Sequence, residues 1–491
     1  MKRKSSIRFG TDGWRAVLGE EFTFENVARV AVAVAAVFKR RAASRPAGGG
    51  KILVGYDNRF LADSFAREAA RVLRGRGLDA RLSRAAVPTP AASLFLHRKG
   101  WLGAVLLTAS HNPPSFGGFK VKVYPGASAD DSFARAVERA IPTRPPRPSR
   151  EAPPGVDVMP AYLGALRKFA DMRVIRRAGL RVAVDSMHGT GERIIETLLR
   201  GGGTEVTTLR AGRDPLFGGG SPEPVPENLA ELARTVRRGK FDVGIALDGD
   251  ADRLALLDAR GGFVSPQSVM AVLADELLRV RGEAGDVAKT YAGTEHLDRI
   301  AEKFGRRCRV TPVGFKHISR LMRQGRVLMG GEEAGGIGIS SYMSDRDGIA
   351  VALLVLEIMA RRRKSLRALV GEIARRYGPL HYRRVDLPAP AGAGAELSRA
   401  LFEKIMACRG RFRLGGKRFP GYDAPMAGVE TLDGVKCFFH DGAWLLFRTS
   451  GTEPLLRVYA EAPAKKKLEA LIKAGKKNVR EVVLKRVAGV R

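Results

Sequence analysis

The sequence predicts a multidomain α/β protein, and three observations carry that prediction. The chain is 491 residues long, several times the roughly 150 residues of an ordinary domain. Short, near-continuous apolar runs alternate with longer stretches of helical periodicity, the pattern of strands and helices layered in α/β folds. Two breaks, PTRPPRPSREAPPG at residues 142–155 and PAPAGAGA at 388–395, cannot continue a helix or a central strand and mark connections between domains.

Composition narrows the class. Hydrophobic residues make up 45% and charged residues 28%, which fits a soluble globular chain and excludes a disordered or fibrous one. The cysteines Cys308, Cys408 and Cys437 are odd in number and widely spaced. They suggest neither a disulfide framework nor a paired-cysteine zinc site, so a reducing, cytoplasmic setting is expected. The basic N-terminus is followed by no apolar signal segment.

Taken in order, the first element is the apolar run at residues 27–38. It is too short for the ~20 residues that span a bilayer, so it predicts a buried helix, with Thr23 as its cap and Glu25 in its first turn. Four strand-like runs follow, each ending in a polar, glycine-containing loop: LGAVLLTASHNP (102–113), LRVAVDSMHGTG (180–191), FDVGIALDGDADR (241–253) and RVLMGGEEAGGIG (326–338). Runs of this kind are strands buried on both faces, and ligands gather at the carboxyl ends of such strands. At the C-terminus, Leu468, Leu471, Ile472, Val479, Val482 and Val483 recur at helical spacing, leaving the lysines around them on the solvated face.

With 85 Lys+Arg against 51 Asp+Glu, the formal charge is +34, enough to make nucleic acid an alternative partner. The charge is spread along the chain, however, and no basic platform interleaved with aromatic residues accompanies it. An anionic small substrate is the favoured reading.

The loops carry the chemistry. In DGDADR, Asp248, Asp250 and Asp252 crowd three carboxylates together, which repel one another unless a cation neutralises them. An EF-hand would need Gly at its sixth position and Glu at its twelfth, where this sequence has Arg253 and Ala259. A hard divalent ion with open coordination positions, such as Mg²⁺, fits instead. In TASHNPPSFGGFK, residues 108–120, Ser110 and His111 are adjacent. On an extended chain they would face opposite sides, which disfavours a serine nucleophile with its own base, and no G-x-S-x-G elbow is present. A hydroxyl among backbone amides, stiffening prolines, permissive glycines and Lys120 suits a serine that carries a phosphoryl group; a plain connecting turn is the alternative. In FRTSGTEP, Arg448, Ser450, Gly451 and Thr452 form a second anion site. In GGEEAGG, Glu332 and Glu333 are suited to accepting hydrogen bonds from sugar hydroxyls.

Together these loops resemble those of the α-D-phosphohexomutase superfamily, in that family's order. FGTDGWRA (9–16), GYDNR (55–59), PTP (88–90) and TPVGFK (311–316) add to the likeness, which covers almost the whole chain. The resemblance implies four domains around a central cleft, three similar α/β domains with mixed sheets and a C-terminal α+β domain. They are expected at residues 1–145, with a phosphoserine loop; 156–260, with a metal loop; 261–380, with a sugar-specificity loop; and 384–491, with a phosphate loop.

It also implies a reaction. Phosphorylated Ser110 passes its phosphoryl group to a hexose monophosphate, and the resulting hexose 1,6-bisphosphate turns around and returns its other phosphoryl group. Mg²⁺ would sit on Ser110, Asp248, Asp250 and Asp252. His111, Lys120, Arg15 and Arg253 match positions that move protons or steady the phosphoryl group, with the general base left open. Gly314, Glu332, Arg346, Arg448, Ser450, Gly451 and Thr452 match substrate-binding positions. Glucose phosphates are favoured because GEE resembles the glucose-type loop, with mannose phosphates or both sugars as the close alternative. A monomer or homodimer is expected, with a phosphosugar rather than nucleic acid or membrane as partner. An inactive mutase-fold binder of polyanions is the alternative of a different class. The sequence departs from the usual pattern at Ala334, where a serine is common, and at Gly117–Gly118, expected to alter loop flexibility.

Overall fold

A computed structural model describes residues 7–10, 12–42, 50–147, 149–389, 394–407, 417–449 and 455–487. The chain divides into two compact units, Met1–Asp286 with Gly314–Val370, and Val287–Val313 with Gly371–Arg491.

In the first unit, a mixed sheet runs in the order Trp14–Val17, Phe116–Val123, Gly103–Leu107, Lys51–Tyr56, Asp79–Ser83, Gly155–Val156, with Ala127–Ser128 added beside Phe116–Val123. The strands around Lys51–Tyr56 are parallel, whereas Phe116–Val123 is antiparallel to both its neighbours. The expected apolar helix is Phe24–Ala42. Asn26 N donates to Thr23 Oγ1 at 3.2 Å, so Thr23 does cap it. Its Val27, Val30, Ala31 and Val34 are fully buried in the core cluster with Phe22, Phe65 and Phe119.

A second mixed sheet follows, in the order Phe263–Val264, Leu254–Asp258, Val243–Leu247, Arg181–Asp185, Glu205–Leu209. Val243–Leu247 lies parallel to Arg181–Asp185 and antiparallel to Leu254–Asp258. Each flanks a polar loop, and every residue of Val243–Leu247 is buried, as a near-continuous apolar run requires. The sugar-loop segment is a hairpin, Val327–Gly331 against Ile337–Ile339, beside the buried helix Gly348–Arg362.

The glycine pair Gly117–Gly118 lies within the strand Phe116–Val123 rather than in a loop. A Cβ on Gly117 would sit 2.3 Å from Phe22 Cδ1, and one on Gly118 would sit 2.2 Å from the Thr108 carbonyl oxygen. The pair is therefore a close-packing requirement and not a source of loop flexibility.

The second unit holds a parallel pair, in register from Val287↔Cys308 to Thr290↔Thr311. It also holds an antiparallel sheet in the order His381–Pro388, Leu455–Ala462, Trp444–Thr449, Val435–Phe439, Pro425–Glu430, Lys417–Arg418. The helices Gly394–Ala407 and Lys465–Val487 pack on that sheet. Leu468, Leu471, Ile472, Val479 and Val482 are buried in its core and Val483 packs against it, as their spacing predicted. Strands and helices segregate here, the α+β arrangement. Cys408 lies outside the described residues.

Candidate active site

The strand Gly103–Leu107 is buried throughout and delivers the chain to the Ser110 loop. Ser110 is fully buried and has φ of +53°, a left-handed conformation that is costly for a residue with a side chain. Its hydroxyl donates to Asp248 Oδ2 at 2.7 Å. Because the turn is left-handed and not extended, His111 does not face away: its Nδ1 lies 3.4 Å from Ser110 Oγ. The hydroxyl donates to Asp248, the shorter of the two contacts, and not to His111.

The three aspartates follow the strand Val243–Leu247 and are fully buried. One oxygen from each can be chosen so that all lie within 4.8 Å of one another. Their outer oxygens are already engaged. Asp250 Oδ2 accepts from Thr89 Oγ1 at 2.5 Å and from Lys120 Nζ at 2.6 Å. Asp252 Oδ2 accepts from Lys120 Nζ at 3.0 Å and from Arg346 Nη2 at 2.8 Å. Asp250 Oδ1 and Asp252 Oδ1, by contrast, are buried with no hydrogen-bond partner. A buried carboxylate oxygen without a partner is costly, and a hard cation between these oxygens removes that cost. The donor set therefore fits Mg²⁺.

Electrostatics agree with this geometry. Burial, together with the neighbouring Asp250 and Asp252, pushes Asp248 well above the usual carboxylate range. Burial also opposes ionisation of Asp252, but Arg346 and Lys120 outweigh it and hold Asp252 well below that range. Lys120 is 1% exposed; burial would lower it, yet Asp12, Asp250 and Asp252 prevail and raise it. Lys120 is thus a fixed cation of the cluster. Burial and the nearby Arg253 lower Arg15, whose Nη1 donates to Asn112 Oδ1 at 2.5 Å. Arg253 Nε is buried with no hydrogen-bond partner and lies 3.9 Å from Asp252 Oδ1. Two guanidinium groups that repel each other beside the acidic centre form a setting that favours an anion.

Ser110, His111, Lys120, Arg15, Arg253, Asp248, Asp250, Asp252, Glu332 and Arg346 all lie in the first unit. Arg346 is held by three carboxylates. Its side chain is 4% exposed, and its guanidinium meets Glu332 Oε2 at 2.8 Å, Asp12 Oδ2 at 2.6 Å and Asp252 Oδ2 at 2.8 Å, leaving Nε without a hydrogen-bond partner. Glu332 is raised by burial, which Arg346 opposes. Gly314, with φ of +125°, caps the helix Phe315–Arg323. In the second unit, Arg448 Nε donates to Asp433 Oδ2 at 3.0 Å, which also accepts from Val313 N at 2.7 Å. Ser450, Gly451 and Thr452 lie outside the described residues.

Sequence reasoning missed Asp12, Thr89, Thr108, Asp57 and Arg59. Asp12 Oδ2 lies 3.0 Å from Lys120 Nζ as well as beside Arg346. Asp12, Thr89, Asp57 and Arg59 sit in the short motifs FGTDGWRA, PTP and GYDNR, and Thr108 opens TASHNPP. Those strings were the signal available, but nothing in them says which side chain reaches the site.

A multidomain α/β chain that sets a buried hydroxyl against a three-carboxylate centre and flanks it with buried cations is built for phosphoryl transfer. Residues 6–147, 160–261 and 265–377 match the phosphoglucomutase/phosphomannomutase alpha/beta/alpha domains I, II and III, and 395–474 match the C-terminal domain of the same family. Over 481 residues the chain is 30% identical to a phosphoglucomutase/phosphomannomutase of Thermococcus kodakarensis, covering 97% of this chain and 99% of that one. It is likewise 30% identical to a "Probable phosphoglucosamine mutase" of Methanothermobacter thermautotrophicus, covering 95% and 96%. The crystal structure of a candidate phosphomannomutase from Thermus thermophilus superposes with a TM-score of 0.84 at 34% identity, covering 96% and 99%. The chain belongs to the phosphoglucomutase/phosphomannomutase family of the α-D-phosphohexomutase superfamily, a family of mutase-type isomerases. Among the described residues, no helix is long and apolar enough to cross a membrane.

Proposed function

We propose that this chain is a Mg²⁺-dependent phosphohexomutase that interconverts hexose 1-phosphate and hexose 6-phosphate through a phosphorylated Ser110 and a hexose 1,6-bisphosphate. The observation that carries the reading is the placement of the Ser110 hydroxyl, 2.7 Å from Asp248 Oδ2, against a buried triad with two carboxylate oxygens that accept no hydrogen bond. Asp248, Asp250, Asp252 and an oxygen of the Ser110 phosphoryl group would hold the ion. Mg²⁺ bound there supplies neutralisation of charge on the transferring phosphoryl group.

The chain's own residues account for the rest. As the Oγ–P bond of Ser110 breaks, the O–P bond to the sugar forms, and the proton of the sugar hydroxyl passes to Oγ to regenerate the serine hydroxyl. Arg15, Arg253 and Lys120 face the same centre as fixed cations. His111, with Nδ1 3.4 Å from Ser110 Oγ, would lie beside the transfer. Arg448 with Ser450, Gly451 and Thr452 would grip the phosphate that is not reacting. Glu332, with one oxygen fixed by Arg346, would take a sugar hydroxyl. The GEE string favours glucose, with mannose next; relatives named for glucose, mannose and glucosamine phosphates at about equal identity support the class more than the sugar.

The test is turnover of glucose 1-phosphate and mannose 1-phosphate with Mg²⁺ and a trace of the 1,6-bisphosphate, for wild type and Ser110→Ala. Wild type is expected to convert glucose 1-phosphate faster, and the alanine variant to be inactive on both. An alanine variant as fast as wild type would show that Ser110 is not the phosphoryl carrier.

A further inference from the structure

Arg59 is a large buried cation, 2% exposed, that hydrogen-bonds none of the three aspartates, and the transfer chemistry does not use it. Its guanidinium offers five N–H donors in a fixed fork. Nε donates to Asp57 Oδ2 at 3.0 Å. Nη1 donates to the carbonyls of Pro113 and Phe116 at 2.8 and 3.1 Å. Nη2 donates to those of Ser110 and Asn112, both at 2.7 Å. Four of its bonds therefore end on the backbone of one short loop, the one that bears Ser110. The Phe217 ring, 4.9 Å from Cζ, covers the guanidinium face.

Asp57 extends the bracket. Its Oδ2 also accepts from Thr108 Oγ1 at 2.6 Å, and Thr108 Oγ1 in turn accepts from the Ser110 amide at 2.9 Å. Ser110 is thus held at both ends of its own residue, the amide by Thr108 and the carbonyl by Arg59. A serine left to itself avoids φ of +53°. Pinning both peptide groups is what keeps it there, and that conformation turns Oγ onto Asp248.

We propose that Arg59 and Thr108, tied together by Asp57, are positioning residues that set the attack geometry of Ser110. The inference rests on the reading of Ser110 as the phosphoryl carrier. The geometry gives these residues no part in gripping the sugar, so their loss acts on phosphoryl transfer and not on sugar affinity. In the step concerned, the sugar's O–P bond breaks as the Oγ–P bond forms, and the serine proton passes to the departing sugar oxygen. Misplacement of a reacting atom by about 1 Å costs on the order of 10²-fold in rate.

The experiment compares Thr108→Val, Thr108→Ser, Arg59→Lys and Ser110→Ala with wild type. It reads single-turnover phosphate transfer from glucose 1,6-bisphosphate to the protein, kcat and KM for glucose 1-phosphate, and the melting temperature. Valine matches threonine in shape but lacks the hydroxyl and leaves Asp57 and the Ser110 amide each one bond short, so Thr108→Val is expected to melt a few degrees below wild type yet stay folded at the assay temperature, while transfer and kcat fall roughly 10- to 100-fold. KM should stay within about twofold. Thr108→Ser, which keeps the hydroxyl, should retain wild-type transfer. Arg59→Lys, which cannot reach four carbonyls, should fall at least as far as the valine variant. Wild-type transfer in Thr108→Val overturns the proposal, as does equal loss in the serine and valine variants. If Ser110→Ala itself accepts phosphate and turns over, the carrier reading fails instead, a different result.

Discussion

Asp347 is a carboxylate that its surroundings would rather keep protonated. It is 2% exposed and caps the helix Gly348–Arg362, accepting from the Ile349 and Ala350 amides at 2.9 Å and from Tyr162 Oη at 3.0 Å. Burial nevertheless outweighs these donors and raises it from 3.8 to about 6. An acid whose folded value lies above its unfolded value holds its proton more tightly when folded. Its penalty is absent below the unfolded value, grows as pH rises through that window, and is complete above about 6. The gap corresponds to about 3 kcal/mol. Asparagine keeps the capping oxygen without the charge, so Asp347→Asn is expected to gain stability over wild type as pH rises from about 4 to 7, with no gain at the acid end. Parallel melting curves for the two proteins across that range would show that Asp347 is not the group responsible. Arg59 illustrates a different lesson at this scale: its acceptors are mostly backbone carbonyls, which every residue possesses, so no sequence pattern announces them.

At the scale of elements, the sequence was most legible where a strand is buried on both faces. The runs ending at Leu107 and Leu247 are buried at every position, and an unbroken apolar string followed by a polar loop reveals such a strand without help from periodicity. The acidic triad was legible for the same reason, because its members are neighbours in sequence. That Lys120 and Arg346 neutralise it was not legible: Lys120 was read only as a cation for a phosphoryl group and Arg346 only through the resemblance, since Lys120 and Asp250 are 130 positions apart and Arg346 and Asp252 are 94 apart.

Gly117–Gly118 was misread because glycine pairs usually punctuate loops, whereas here they let a strand approach Phe22 and Thr108. That packing yields a paired prediction. In Gly118→Ala the added Cβ would meet the Thr108 oxygen at 2.2 Å, which forces the backbone of the Ser110 loop to move. A loss of roughly 1–3 kcal/mol is expected, as for an overpacked core, together with reduced turnover. Gly164, inside the helix Met159–Phe169, has open space where a Cβ would stand, with nothing within 4 Å. Gly164→Ala should therefore stabilise by roughly 0.5–1 kcal/mol and leave turnover unchanged. Thermal melts and a mutase assay decide both; equal melting of the two variants would refute the packing argument.

For the whole molecule, the formal charge of +34 has two readings that differ in their dependence on salt. Either the charge attracts the doubly anionic sugar phosphate over distance, or it is a compositional bias with no part in turnover. Long-range attraction acts on encounter, so it should appear in kcat/KM and not in kcat. The Debye length shrinks from about 30 Å at 0.01 M salt to about 10 Å at 0.1 M, so a field summed over many exposed lysines and arginines is lost across that range. Contacts inside the buried cluster, such as Lys120 to Asp250 at 2.6 Å, are screened far less. The proposed function argues for attraction, because in that reading Arg15, Arg253 and Lys120 face the arriving phosphate. With Mg²⁺ held constant, raising sodium chloride from about 10 to 300 mM is expected to lower kcat/KM for glucose 1-phosphate several-fold while kcat stays level. A kcat/KM that is flat in salt would assign the charge to composition. Competition by duplex DNA at about 150 mM salt, with its own steep salt dependence, would instead favour a polyanion-binding role for the same surface.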